Sequence, residues 1–320
     1  MIDTVLISGS GQIGSRYLQG LVHYQEPLKI YVYDISQKSL EIAKNRFEDI
    51  QLNKNSKNHN VIYITNYENL PKKIEIAIIA TTADVRSQEI CKILKKCDVK
   101  YWILEKVLAQ SKKELELISN LTKDSKGAWV NTSRRMQSWH KRIFESLPKS
   151  EPLIVRIKGE NWGLACNGIH FIDLVAWWTG EKLTEIDTSQ LDMKWFKSKR
   201  NGFFEITGLI TSKFSGGSVL TLESIFEKRP FSFEIYSKGE LWKILENEGK
   251  AMGPNSILIP GKNKMQSSIT NILVEKLLKE GTCDLTTLSE SLGMHRVFIN
   301  SLLKHWNISH RSNLEKLPIT

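Results

Sequence analysis

A chain of 320 residues with 41% apolar content and a net charge of +10 is long enough to bury one or two sizeable cores. No apolar run approaches the ~20 residues of a membrane helix. The opening residues, Met-Ile-Asp-Thr-Val-Leu-Ile, show neither a basic stretch nor a cleavage signal, so a cytoplasmic protein with no membrane partner is expected. Paired, scattered lysines (Lys72 and Lys73, Lys95 and Lys96, Lys112 and Lys113) and four cysteines without motif spacing argue against a nucleic-acid groove, a metal site or a disulfide framework. The charge is read as solvated surface, or as steering for an anionic substrate.

Residues 2–8 read as a buried strand. A glycine-rich turn follows, and Ile13, Tyr17, Leu18, Leu21 and Val22 make a helical stripe. A strand at 29–34 and a helix at 36–49 come next. Strands at 60–65, 75–81, 100–105 and 127–131 follow, with helices at 84–96 and 111–122 between the last three. Strands alternating with helices predict a doubly wound parallel sheet, an α/β Rossmann domain over residues 1–131. Beyond Asn131 the spacing predicts a helix at 134–147, a strand at 153–159, a loop from Glu160 to Asn167, and a helix at 168–179 closed by Gly180. β-rich stretches at 184–196, 203–214, 217–225, 230–237 and 240–246 precede helices at 264–279 and 285–306. Residues 132–320 are therefore expected to form an α+β domain around a large, mostly antiparallel sheet. Strand 203–214 alternates poorly, which predicts a sheet covered on both faces and a homodimer or homotetramer formed through it.

Gly9-Ser10-Gly11-Gln12-Ile13-Gly14 has G-x-G-x-x-G spacing between a predicted strand and helix, the context in which the motif binds a dinucleotide. Gly9 allows the tight turn, Gly11 lets a pyrophosphate approach the backbone, and Gly14 lets helix and strand close up. Asp34, twenty residues after Gly14, is placed to accept bonds from the adenosine ribose. A tight turn with a capping aspartate is the alternative. Asp34 repels a 2′-phosphate and favours NAD, while Ser36 and Lys38 leave NADP open. Thr81 and Thr82 end a strand, on the side where open parallel sheets bind ligands, or else cap the next helix.

Together Gly9–Arg16, Ala80-Thr-Thr-Ala-Asp-Val-Arg86, Glu105-Lys106 and Gly168-Ile-His170-Phe-Ile-Asp173 make the whole chain resemble the Gfo/Idh/MocA family of sugar and cyclitol dehydrogenases. The resemblance implies hydride transfer between a sugar carbon and a nicotinamide, with Glu105 and Lys106 near the cofactor. Lys106 and His170 would be the acid/base groups, because oxidising a hydroxyl releases a proton that a positioned group must take. An ordinary strand-end lysine and a satisfied helical histidine are the competing readings. Asp173, one turn on, is placed either to orient the imidazole or to pair with a neighbour. Two positions depart from the family: Val107 replaces the usual proline, and Cys166 replaces an aspartate four residues before the histidine. Asn167 is a candidate N-cap of the helix and, with Cys166, a candidate substrate contact.

Arg134 and Arg135 follow the last Rossmann strand, where the family often contacts substrate. They suit a carboxylate or phosphate, or equally the protein's own acids. Trp162 is placed to stack on a sugar or to fill the core. His295 and Arg296 read as structural. The expected partner is thus a sugar, anionic or nucleotide-activated, which points toward surface-glycan precursor synthesis. An NAD-retaining glycosidase using transient oxidation and a non-catalytic NAD(P)-binding regulator are the other functional readings.

Overall fold

The computed structural model describes residues 2–52, 59–148 and 151–320. The first elements are β1 (Asp3–Ser8), α1 (Gln12–Leu21), β2 (Leu28–Tyr33), α2 (Gln37–Leu52), β3 (Asn60–Ile64), β4 (Lys73–Ile79), α3 (Arg86–Leu94), β5 (Asp98–Leu104), α4 (Lys112–Thr122) and β6 (Gly127–Val130). Next come α5 (Ser138–Ser146), β7 (Ile154–Glu160), α6 (Leu164–Thr179), β8 (Leu183–Leu191), β9 (Phe196–Lys197), β10 (Phe204–Glu205), β11 (Gly208–Phe214) and β12 (Val219–Ile225). The chain ends with β13 (Ser232–Ser237), β14 (Glu240–Leu245), β15 (Lys250–Met252), β16 (Leu258–Pro260), α7 (Thr270–Glu280), β17 (Thr286–Thr287) and α8 (Leu288–His310). None of the described helices is long and apolar enough to cross a membrane.

Two compact units result. The first comprises Met1–Leu108, Glu116–Asn131 and Lys264–Leu288. Its seven-stranded sheet has the order β17-β6-β5-β4-β1-β2-β3, parallel except for β17. Val5, Leu6 and Ile7 of β1 and Ile76 to Ile79 of β4 are wholly buried, as continuous apolar runs in a sheet covered on both faces should be. The order reverses between β4 and β1, so the loop after β1 opens at the switch point of a Rossmann sheet.

Lys264–Leu288 departs from the sequence reading, which assigns it to the second domain. Thr286 and Thr287 pair with Val130 and Trp129, adding an antiparallel edge strand. A short 3-10 turn at Gln266–Ser268 precedes α7, which therefore starts at Thr270 rather than 264. Gly20 of α1 brings Thr270 close: a Cβ at Gly20 would lie 2.7 Å from the threonine's own.

The second unit comprises Ala109–Leu115, Thr132–Asn263 and Ser289–Thr320. Its eight-stranded sheet runs β16-β15-β14-β13-β7-β12-β11-β8 and is antiparallel except where β7 meets β12. Three sequence expectations change here. The helix expected at 134–147 is a 3-10 turn, Ser133–Met136, followed by α5. Stretch 184–196 stops as β8 at Leu191, and β9 is a separate strand. Stretch 203–214 is two strands, because Gly208 sits at φ +109° with a would-be Cβ only 2.6 Å from Gln190 O. The poor alternation came from reading through that break. Within β7, β12 and β13, buried and more exposed residues alternate strictly, so in this chain the sheet packs on one face only. That face receives α6, through Phe171 against Phe233 (5.7 Å between ring centroids) and Gly168 against Leu222.

Candidate cofactor and substrate sites

In the first unit, the turn after β1 shows why three glycines stand where they do. Gly9 adopts φ +93°, a region that L side chains avoid. A Cβ on Gly14 would sit 1.8 Å from Gly9 O, so this position admits nothing larger. A Cβ on Gly11 would meet nothing within 4 Å. The chain therefore has no internal need for glycine at 11; what the residue preserves is open space beside the N-terminus of α1. No side chain caps that helix and no acid occupies its first turn. The free N–H groups and the positive end of the helix dipole suit a phosphate there.

Asp34 follows β2 and ties the turn together. Its Oδ2 accepts from Ser10 N (2.8 Å) and Ser10 Oγ (3.1 Å), and its Oδ1 accepts from Ser36 N (2.9 Å). A carboxylate has roughly four acceptor directions, so one remains for a ribose hydroxyl. Ser36 has a second task, since its Oγ accepts from Ser39 N at the start of α2. Thr81 and Thr82 follow β4, beside Gly9: a Cβ there would lie 3.0 Å from Thr81 N. Thr81 Oγ1 and Asp84 Oδ1 are buried and have no hydrogen-bond partner among the described residues. Such orphans call for a ligand or water. Open space over Gly11, an uncapped helix, a carboxylate with spare capacity and orphaned acceptors together fit a dinucleotide.

Glu105 and Lys106 follow β5. Glu105 is buried, and its Oε1 accepts from Tyr17 Oη and from Asn131 Nδ2, both at 2.6 Å. Asn131 Nδ2 also donates to Gln266 Oε1 at 2.9 Å. Burial, then the adjacent carboxylate, pushes the Tyr17 phenol well above its ordinary value, so it serves as a proton donor to Glu105. Lys106 is half-buried, and its peptide bond to Val107 is cis. Around it lies a residue whose role the sequence reading did not see. The Arg86 guanidinium is 1% exposed and donates to the carbonyls of Thr81, Val107 and Leu108, the last at 2.9 Å. It fastens the loop after β4 to the one that carries Lys106. Its place at the start of α3, one turn ahead of buried Ile90 and in line with it, was the available signal.

In the second unit, α6 begins at Leu164, not at 168, so His170 lies in its second turn rather than its first. Asn167 is not the N-cap: its backbone N–H already donates to Gly163 O, and its Nδ2 donates to Trp162 O. The N-cap is Gly163 at φ +80°, which offers no side chain. Glu205 supplies the missing acceptor, taking bonds from Ala165 N (2.9 Å) and Cys166 N (3.1 Å). This capping carboxylate comes from 39 residues further along the chain than Cys166, beyond the reach of any local pattern.

His170 lines a cavity of about 220 Å³ with Arg134, Trp162, Asn167, Phe171 and Glu246. Both arginine candidates are already engaged by acids. Arg134 pairs with Glu246 and stacks 4.1 Å above the Phe171 ring. Arg135 binds Asp173 through two bonds, Nε to Oδ2 at 3.0 Å and Nη2 to Oδ1 at 2.7 Å, with Asp173 wholly buried. Trp162 donates Nε1–H to Glu223 O and meets Phe171 edge-on at 5.5 Å, leaving part of its ring on the cavity. Arg134 Nη1 also approaches Nε2 of His140, a buried histidine among Trp139, Trp178 and Phe233. Among the described residues no cluster of His, Cys, Asp and Glu is placed to hold a metal ion.

Burial, with Arg134 adding to it, lowers the His140 pKa well below its ordinary 6.5. The native state keeps this ring neutral, while the unfolded chain takes up a proton below about pH 6.5. Its contribution to stability is therefore complete above pH 6.5 and is lost as the pH falls. His59 and His305, also lowered mainly by burial, act in the same direction. The melting temperature is expected to decline between pH 7 and pH 5, and His140→Gln to decline less steeply. Parallel slopes in thermal melts would remove His140 from this account.

No family model matches the chain, and no curated protein matches it. Solved structures do. An oxidoreductase from Agrobacterium radiobacter, crystallised with NAD+, L-tartaric acid and magnesium, superimposes with a TM-score of 0.72 at 15% identity, covering 96% of each chain. UDP-N-acetylglucosamine 3-dehydrogenase from Acidithiobacillus ferrooxidans gives 0.71 at 8% identity over 97% of this chain and 99% of the other. The myo-inositol dehydrogenase of Lactobacillus casei, in complex with NAD(H) and myo-inositol, gives 0.68 at 15% identity over 97% and 95%. At such identities the likeness is one of architecture. From end to end, this chain has the fold of those oxidoreductases: a Rossmann sheet and a large, mostly antiparallel one.

Proposed function

We propose that this chain is an NAD-dependent oxidoreductase that transfers a hydride between the nicotinamide and a carbon of a sugar or related polyol. The observation that carries the reading is the glycine turn at the switch point of the Rossmann sheet, with space held open over Gly11 and partnerless Thr81 Oγ1 nearby. The solved oxidoreductases with this fold support it. Asp34 would orient the adenosine ribose and favours NAD over NADP by repelling a 2′-phosphate. The N–H groups at the start of α1 would hold the pyrophosphate. When bound, the nicotinamide supplies the hydride acceptor or donor. The protein's own task is then the proton. Lys106, held on a loop that Arg86 fastens, and His170, in the wall of the cavity beside Trp162, are the groups assigned to give or take it at the reacting oxygen.

The test follows absorbance at the nicotinamide band over a panel of sugars, cyclitols and sugar nucleotides. Lys106→Ala and His170→Ala are each expected to lower kcat/KM by at least ~100-fold with cofactor affinity retained. Near-normal rates in both variants overturn the assignment. Activity confined to sugar nucleotides would favour a place in surface-glycan precursor synthesis. We also propose a homodimer or homotetramer built through the outer face of the eight-stranded sheet; a monomeric mass by light scattering at micromolar concentration would rule this out.

A further inference from the structure

With Arg134 and Arg135 both engaged by acids, the cations available to an anionic substrate lie elsewhere. Lys194-Trp-Phe-Lys197-Ser-Lys199-Arg200 places four cations in seven residues with no acid among them. The structure folds the latter part of this run into a hairpin. β9 pairs with β10, Ser198 N donates to Phe203 O at 2.9 Å, and Gly202 turns the tip at φ +83°. Lys197, Lys199 and Arg200 are exposed, and among the described residues no acid stands within ion-pair distance of them.

The hairpin is anchored. Phe204 packs edge-on against Trp306 at 5.0 Å and donates its N–H to Pro318 O, Phe196 packs on Phe226 at 4.9 Å, and Glu205 holds the start of α6. A charged loop on so fixed a base presents its cations in a defined place. They line a pocket of about 370 Å³ whose other walls include Trp162, Phe196 and Phe203. Trp162 and Asn167 also line the His170 cavity, so the two spaces adjoin across one indole. Glu205 lines the pocket too, but its charge is directed at the backbone N–H groups of Ala165 and Cys166.

We propose that this pocket binds the nucleoside diphosphate portion of the substrate, with Lys197, Lys199 and Arg200 on the phosphates and Phe203 under the base. Three cations within four residues suit a polyanion better than a single carboxylate. Aromatic walls supply the stacking face that a base uses and an inorganic anion does not. A ligand spanning both spaces would leave its sugar beside His170. The proposal deepens the oxidoreductase reading and rests on it for the sugar's fate, though its test reads binding alone.

The full-length protein, saturated with NAD+ to fill the glycine-turn site, is titrated calorimetrically with the diphosphates of uridine, cytidine, thymidine and guanosine, and separately with inorganic pyrophosphate. At least one nucleoside diphosphate is expected to bind tenfold or more tightly than pyrophosphate. The triple variant Lys197→Ala, Lys199→Ala, Arg200→Ala should weaken that binding at least tenfold without changing its melting temperature. Phe203→Ala should weaken the nucleoside diphosphate but not pyrophosphate. No binding by any of the four, or binding unchanged in the triple variant, overturns the site. Pyrophosphate binding as well as every nucleoside diphosphate overturns the base contact and with it the proposal. A protein that binds the nucleotide here yet transfers no hydride would refute the oxidoreductase reading and leave this site standing.

Discussion

Asp173→Ala is expected to lower the stability of the second unit by about 3–5 kcal/mol, the usual cost of stranding one member of a buried ion pair. In a unit of this size that corresponds to a fall of about 10 °C in melting temperature. The geometry sets the scale. The carboxylate is wholly buried and grips Arg135 through two bonds, while the other nearby acid, Glu290, is exposed and stands 3.8 Å from the guanidinium. Glu290 therefore cannot take over at comparable strength. The double variant Arg135→Met with Asp173→Leu separates the loss of the pair from the loss of packing. It should recover most of the stability, because apolar groups of similar volume often replace a buried pair at little cost. If the single variant melts within 2 °C of the wild type, the pair is solvated and the argument fails.

The second large effect concerns the glycine turn and distinguishes a structural glycine from a functional one. Gly14→Ala forces a methyl to within 1.8 Å of Gly9 O, so the turn or the helix must move. A loss of about 3 kcal/mol is expected, together with loss of cofactor binding. Gly11→Ala is predicted to behave differently. Its backbone lies at φ −61°, open to any residue, and its Cβ meets nothing. It should melt within about 2 °C of the wild type, as a surface substitution does, yet bind NAD at least about tenfold more weakly, which is 1.4 kcal/mol. Calorimetry and thermal melts on the pair check this. Equal NAD affinity in Gly11→Ala would mean the turn is merely tight.

These two sites differ in how visible they were in the sequence. The glycine turn was legible because everything that defines it, strand, three glycines and helix, lies between Asp3 and Leu21 and has one local explanation. The Rossmann sheet was legible for the same reason, through repeated apolar runs. Asp173 was legible with two roles open, orienting the histidine or pairing with a neighbour; the pairing is seen, but with Arg135, which holds it through two bonds from 38 residues away and which no local spacing could name. Glu205 was invisible, since a helix whose N-cap is a glycine gives no hint that a distant strand caps it. Starting α6 at 168 instead of Leu164 follows directly from that gap. The basic hairpin was not legible as one: Lys194 to Arg200 is a run without an acid, but β9 and β10, which fold it, have two residues each and carry no periodicity. β17 has two residues, too few for any periodicity to register.

That short strand bears on how the protein is made. The chain passes between its two units at residues 108, 115, 131, 263 and 288, so neither unit is a continuous stretch of sequence. During synthesis, β1 to β6 leave the ribosome long before Thr286 and Thr287 exist to cover the edge of β6, and before α7 exists to cover α1. While residues 131 to 285 are being made, the Rossmann sheet thus carries an open edge, the kind that invites pairing with other chains. A fragment cut at Asn131 would keep that condition permanently. A soluble, separately expressed nucleotide-binding unit would have to be built by splicing residues 264–288 back onto the first 131, rather than by stopping where the sequence pattern changes.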